Sequence, residues 1–264
     1  MLSPEEWHDW FLRQAEWTRP TRLWLYRQAG LEKARRVLEV GCGTGVIAGE
    51  VARLSTAGVV GLDVDAGMLG AARSYAPQVL LAQGDAQALP FADGVFDLVL
   101  CHDLLLWLHD PARAVAEMAR VVRAGGFVLA CAEPDYGGRI DHPPELALLG
   151  RWQAEALRRQ GADPQIGRRL GEVFVAAGLR TMVGVMAGQW ELPSAPDAAF
   201  SAEWAMRRHD LSPWLPPEEL ERLEEIDREA LAAGRRLLFV PTFYALGRKE
   251  QERTAVRPMT RTGG

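Results

Sequence analysis

The stretch that decides the fold is "VLEVGCGTGVIAGEVARL", Val37 to Leu54. An apolar run reaches glycines at 41, 43 and 45, and a helical pattern starts at once. A chain that only had to turn would not need three glycines so close together. Glycine takes positive φ without a Cβ clash and lets another molecule approach the backbone closely. In an open parallel sheet, the turn from the first strand into its helix lies at the carboxyl edge, where ligands bind. The stretch therefore predicts a strand, a ligand-cradling loop and a helix.

Outward from that loop, strands and helices alternate. Strands are expected at 36–40, 59–65, 79–83, 95–103 and 125–135, and helices at 45–54, 67–76 and 110–122, the last opened by Asp110 and Pro111. The strands are nearly continuous apolar runs, as burial on both faces of a mostly parallel sheet demands. Upstream, Ser3, Pro4 and Glu6 form a helix-start signature. Helical pieces are expected at 4–16, with Trp7, Trp10, Phe11 and Gln14 on roughly one face, and at 19–30. Downstream, helices are expected at 143–160 and 167–179, and a strand at 180–192. A helical insertion at 197–233 is broken by "SPWLPPEE", and a last strand covers 235–249, where Pro241 argues for an edge position or a bulge. The expected class is α/β: a Rossmann-like, mostly parallel seven-stranded sheet with helices on both faces and a helical lid. The expected organisation is a helical cover over 1–30, a core over 31–194, a lid over 195–234, the last core strand over 235–249 and a flexible polar tail over 250–264.

Composition narrows the class. The chain has 264 residues, 48% apolar and 25% charged, which is ordinary for a globular domain with one sizeable core. A net charge of -5 with no basic block argues against nucleic acid as a partner. Cys42, Cys101 and Cys131 are odd in number and lack metal-ligand or disulfide spacing, and no acid cluster suits a metal. The opening "MLSPEEWHDW" is not basic then apolar, and no run is long enough to cross a bilayer. The expectation is a soluble, cytoplasmic protein without metal or membrane partner, monomer or homodimer.

Two details refine the loop's ligand. A dinucleotide fingerprint places its third glycine three residues after the second; here Val46 stands in that place and Gly45 is the third glycine. Asp63 ends the second strand about twenty residues beyond the loop, where an acid accepts from ribose hydroxyls. That acid is common to adenosine binders of several kinds.

Four ordered stretches then resemble one family. "VLEVGCGTG", "VVGLDVDAGML", "GDAQALPFADGVFDLVLCHDLLLWLHDP" and "MARVVRAGGFVLACAEPD" look like the successive motifs of the class I S-adenosylmethionine-dependent methyltransferases, in the flavour of the ubiquinone and menaquinone enzymes. The resemblance covers about 36 to 135 and implies S-adenosyl-L-methionine as cofactor and a small-molecule methyl acceptor. By resemblance, the loop of Gly41, Cys42, Gly43 and Gly45 holds the methionine end and ribose, and Glu39 reaches the cofactor's ammonium. Asp63 takes the ribose hydroxyls with Val64 beside the adenine. Asp85 accepts from the adenine amino group, the Ala86 backbone faces the ring, and Cys101 lies close to the sulfonium. Each has a plainer reading: Cys42 and Cys101 as small core residues, Glu39 as an ion-pair partner of Arg35 or Arg36, Asp85 as a turn cap.

Methyl transfer needs a nucleophile placed in line, water excluded and, where the acceptor carries a proton, a base. Strand-end candidates are His102, Asp103, His109, Glu133, Asp135 and Tyr136. His102, which titrates near neutrality, and Tyr136, in the glycine-containing "EPDYGGRID", are the first choices as catalytic residues, with Arg139 able to close over a substrate. Neither the "NPPY" type of tetrapeptide of amino-directed relatives nor the Pro-Cys pair of cytosine-directed ones is present. A catalytically inactive cofactor binder and an NAD-dependent oxidoreductase are the alternatives. Trp17, Tyr26 and Trp204 are expected near the cavity, and Arg19, Arg22 and Arg207 or Arg208 are expected to meet an anionic group.

Overall fold

The computed structural model describes residues 3–188 and 196–251. The chain opens with α1 (Pro4–Gln28) and then runs β1 (Arg36–Val40), α2 (Val46–Leu54), β2 (Gly58–Asp63), α3 (Ala66–Tyr75), β3 (Leu80–Gln83), β4 (Phe96–Cys101), α4 (Pro111–Val121) and β5 (Val122–Pro134). It continues through β6 (Ile140–His142), α5 (Ala147–Arg159), α6 (Leu170–Ala176), β7 (Leu179–Val185), α7 (Ala198–Leu211), α8 (Pro217–Ala232), β8 (Leu237–Phe239) and β9 (Thr242–Lys249). One seven-stranded sheet has the order β3-β2-β1-β4-β5-β9-β7. β1 to β5 pair in parallel, and β9 runs antiparallel between β5 and β7. Strand order reverses between β1 and β4, which places the ligand-binding crevice at their carboxyl ends.

The period-two alternation of the strands builds a core on each face. Leu38, Val40, Val99, Cys101 and Val128 pack with Val115 and Met118 of α4 and Phe174 of α6. Val37, Leu98, Leu100, Leu129 and Cys131 pack on the other face with Leu25 and Tyr26 of α1 and Ile47 and Val51 of α2. A third cluster joins Leu146 and Leu149 to Phe200 and Trp204 of α7 and Leu220 and Leu223 of α8.

Two expectations about elements are corrected. The two N-terminal pieces are one helix of 25 residues, with the Ser3–Glu6 capping box in place. Pro20 removes a backbone donor, but it lies on the exposed side of the helix, where the freed carbonyl is open to solvent. The buried stripe of Ala15, Thr18, Arg22 and Leu25 runs unbroken past it. The last strand is two strands: β8 pairs with β6 in a small separate sheet, and β9 joins the main sheet in an interior position. Pro241 stands between them, and its carbonyl accepts from the Asp135 N–H at 2.8 Å. Having no N–H to give a ladder, it marks the change of sheet. The expected strand at 180–192 ends at Val185 within the described residues, and 189–195, like the tail beyond 251, lies outside them.

Candidate active site

The glycine loop forms as its sequence demands. Gly41, Gly43 and Gly45 have φ of 73°, 49° and 81°, the left-handed region that side chains disfavour. The loop is tied to β2: the Gly41 and Cys42 N–H groups donate to Leu62 O at 2.7 and 2.9 Å, and the Gly43 N–H donates to Asp63 Oδ2 at 2.7 Å. The other Asp63 oxygen accepts from the Asp65 N–H at 3.0 Å. A Cβ on Gly43 would stand 3.0 Å from the Phe11 ring, and one on Gly41 would stand 2.6 Å from Leu104 Cδ1. The cradle thus has a wall from α1 and a wall from the turn after β4.

Glu39 is the penultimate residue of β1, beneath this loop. It is 2% exposed, and its Oε2 has no hydrogen-bond partner. Burial pushes its carboxyl up to about 8, with Asp63 adding to the shift and the Ala48 amide and Arg22 opposing it. An orphaned buried carboxyl oxygen under a glycine cradle fits a ligand that brings a cationic amino group. Of the neighbouring acids, Asp63 ends β2, half-buried, and Asp85 is exposed beyond β3, with buried Ala86 after it. Val64 is 70% exposed. Asp85 Oδ1 also caps its own turn by accepting from the Gln87 N–H at 2.8 Å. Cys42 is buried, its sulfur turned towards Gly61 of β2. Cys101 is fully buried, its Sγ 3.9 Å from Glu133 Oε1.

The face of α1 turned to this edge carries His8, Phe11, Gln14, Thr18 and Arg22, at the three- and four-residue spacing of one helical stripe. His8 stacks on Tyr75 with ring centroids 3.5 Å apart, and its Nδ1 lies 2.8 Å from Thr44 Oγ1 in the glycine loop. Gln14 Nε2 donates to Asp103 Oδ2 at 2.8 Å. Thr18 Oγ1 donates to Gln14 O at 2.7 Å and lies 3.0 Å from His102 Nε2. Arg22, fully buried, pairs bidentately with Glu50 of α2 at 2.9 and 3.1 Å and donates to Ala15 O and Thr18 Oγ1. The expectation missed this polar stripe because it read α1 through its aromatics. The spacing of His8, Phe11, Thr18 and Arg22 was the available signal.

His102 is thus engaged by α1, and burial lowers it to about 3, so its ring is neutral. Asp103 follows with φ 56°, and burial raises it to about 6 against the Gln14 hydrogen bond. Glu133 accepts from the backbone N–H groups of Leu104, Leu105 and Leu106 at 3.0 to 3.2 Å and caps the turn after β4. Tyr136 opens the short turn after β5, beside Asp103, and burial raises its phenol to about 12. His109 is exposed at the start of α4.

The remaining expectations are corrected. Asp135 is committed to Arg168 at 2.6 Å and to the Gly137 N–H. Arg139 is spent on Asp141 and Gln153. Trp17 is exposed, Tyr26 lies in the core beneath α1, and Trp204 is fully buried in the α5–α7–α8 cluster with its Nε1 donating to Asp227. Arg22, Arg207 and Arg208 are held by Glu50, Asp227 and Glu224 respectively. Each of these last three arginines is neutralised by an acid on another helix. Among the described residues there is no cluster of three metal-ligating side chains and no helix long and apolar enough to cross a membrane.

A sheet of this order, with a glycine cradle at its switch point and acids at the ends of β1 and β2, defines a nucleoside-cofactor enzyme. The family model described as a methyltransferase domain matches residues 38–130. Trans-aconitate 2-methyltransferase of Methylobacterium radiotolerans is 30% identical over 253 residues, covering 89% of this chain and 94% of the relative. Demethylmenaquinone methyltransferase of Renibacterium salmoninarum is 36% identical over 122 residues, 46% of this chain and 51% of the relative. A solved Haemonchus contortus phosphoethanolamine N-methyltransferase 2 in complex with S-adenosyl-L-methionine matches with TM-score 0.56 at 17% identity, over 88% of this chain and 53% of that one, which bears on the fold alone. The chain belongs to the class I S-adenosylmethionine-dependent methyltransferases, and its cofactor is S-adenosyl-L-methionine.

Proposed function

We propose that the acceptor is a small molecule, methylated by in-line transfer in a chamber roofed by α1 and α7. The observation that carries this is the enclosure of the carboxyl edge. Phe11 and His8 lie over the glycine loop, and Gln14 and Thr18 fasten α1 to the end of β4. Trp7 of α1 meets His209 of α7 edge to face, with centroids 6.4 Å apart. A macromolecular acceptor would need an open edge. In domain terms, 1–30 and 195–234 serve as cover and lid to a core over 31–194 and 235–249; the tail expected over 250–264 lies outside the described residues beyond 251.

When bound, the cofactor supplies an already electrophilic sulfonium methyl. The chain's part is binding, orientation and exclusion of water. Glu39 takes the cofactor's ammonium, Asp63 the ribose hydroxyls, Val64 and the Ala86 backbone flank the adenine, and Asp85 accepts from its amino group. Gly41, Cys42, Gly43 and Gly45 shape the cradle, and Cys101 fills its floor. Tyr136 lines the acceptor side, and His102 fixes the β4 end against α1. A cell extract incubated with methyl-labelled cofactor tests the reading: label should enter the fraction below about 1 kDa, as a small acceptor of this enzyme class requires. Label confined to protein or nucleic acid would refute it.

A further inference from the structure

We infer that Asp103 takes the proton from the acceptor, so that the methylated atom is a hydroxyl or amine that carries a proton rather than a carboxylate. This rests on the small-acceptor reading above. Asp103 lies two residues past β4, which ends at Cys101, at the switch-point edge. Among the described residues it is the only non-glycine with positive φ, at 56°. Such a conformation persists only where surroundings enforce it, and it gathers at functional sites. Here the enforcement is visible: the Asp103 N–H donates to Ala132 O at 2.8 Å, and Oδ2 accepts from Gln14 Nε2 at 2.8 Å. Gln14 orients the carboxylate without neutralising it. Oδ1 accepts from no described residue, so one oxygen is free for a substrate.

The surrounding groups are already committed. Glu133 is filled by three backbone amides, Asp135 by Arg168, and His102 Nε2 by Thr18. Among the described residues, the cations that bear on Tyr136 are Arg139 and Arg207, and both are paired within the fold, with Asp141 and with Asp227 and Glu203. Among the described residues a carboxylate acceptor would find no unpaired cation bearing on Tyr136, and it would face the Asp103 charge. A hydroxyl or amine finds an acceptor for its proton. As the acceptor's lone pair forms the bond to the methyl carbon, its proton passes to Asp103 Oδ1. The electron pair of the broken carbon–sulfur bond stays on sulfur, and the proton leaves to water with the product. The groups facing Asp103 are Gln14 from α1, Glu133 from β5 and Tyr136 from the turn after it. Burial holds the carboxyl near 6, ionised at neutral pH yet more basic than a surface carboxylate.

The test compares the parent with Asp103→Asn, which asparagine's tolerance of left-handed backbone allows to fold. Both are incubated with methyl-labelled cofactor and the small-molecule fraction of a cell extract, and the labelled product is then treated with dilute alkali. Methyl esters release labelled methanol, whereas ethers and methylamines do not. The expected result is alkali-stable label from the parent, and transfer reduced about a hundredfold or more in Asp103→Asn, with S-adenosylhomocysteine affinity unchanged by calorimetry. Gln14→Leu should raise the pH of half-maximal rate, since it removes the bond that keeps the Asp103 pKa down. Transfer by Asp103→Asn close to the parent rate, label released as methanol, or an unmoved Gln14→Leu profile would each overturn the inference. Label found only in macromolecules would instead overturn the reading beneath it.

Discussion

The cradle and its roof are held by different kinds of contact. In the cradle the bonds are short in sequence: Gly45 N–H to Cys42 O at 2.8 Å, and Gly43 N–H to Asp63 across 20 residues. In the roof they are long: Arg22 to Glu50 spans 28 residues, Thr18 to His102 spans 84 and Gln14 to Asp103 spans 89. α7 and α8 go further and build a core of their own with α5, where Asp227 receives Trp204, Arg207 and Arg236. A loop defined by backbone angles is fixed wherever its glycines stand. A helix that closes a site is fixed only by what it meets. Changes in the cradle should therefore remove binding and leave the fold, whereas changes in the roof should weaken the fold itself.

The largest expected effect is Gly43→Val. The new side chain meets the Phe11 ring and a φ of 49°, so S-adenosylhomocysteine binding should vanish in titration calorimetry while circular dichroism keeps the sheet. A mutant that binds like the parent would end the cradle assignment. Next is Asp63→Ala. It deprives the ribose of its acceptor and also frees the Gly43 and Asp65 amides. Two charge-assisted bonds lost cost about 4 kcal/mol, near a thousandfold in affinity. Affinity retained within threefold would show that Asp63 only braces the loop.

Arg22→Leu reverses the pattern. It leaves the Glu50 carboxylate without its bidentate partner and should lower unfolding free energy by about 3 kcal/mol in urea titration. Arg19, 3.5 Å from Glu50, limits the loss. If stability holds and only binding falls, the roof is no more structural than the cradle.

The smallest effect is a pH dependence. Glu39 is raised to about 8 in the fold, so the native state keeps a proton that the unfolded chain has given up. Stability should therefore fall as pH rises from about 7 to 8, by on the order of 1 kcal/mol from this group. Glu133, also raised to about 8, acts in the same direction. His102, lowered to about 3, acts oppositely, but only below the unfolded histidine value near 6.5. Glu39→Gln should flatten part of the decline in melting temperature between pH 7 and 8. An unchanged slope would show that Glu39 is ionised in the free protein.

The strands, their alternating faces and the cofactor loop were legible because each depends on residues next to one another. "VLEVGCGTG" carries its own turn, and Val37 and Leu38 declare opposite faces by adjacency alone. The expected break between the N-terminal helical pieces and the expected single last strand through Pro241 were corrected for the complementary reason. A proline states that one donor is missing, and only the surroundings decide the consequence. Pro20 faces solvent inside an intact helix, while Pro241 marks a change of sheet. The arginines misled likewise: Arg22 and Arg207 look like free cations until their partners Glu50 and Asp227 are found.

By itself, then, the sequence determined the α/β order, the glycine cradle and the acids at the carboxyl ends of β1 and β2. Those features are set by backbone stereochemistry and by residue spacing within single elements. Only the tertiary structure decided that α1 closes the cradle, that His102 faces Thr18, and that Asp103 keeps an oxygen free. Those facts are pairings between elements far apart in the chain, and the physical state of a buried polar group is set by the partner that folding brings to it.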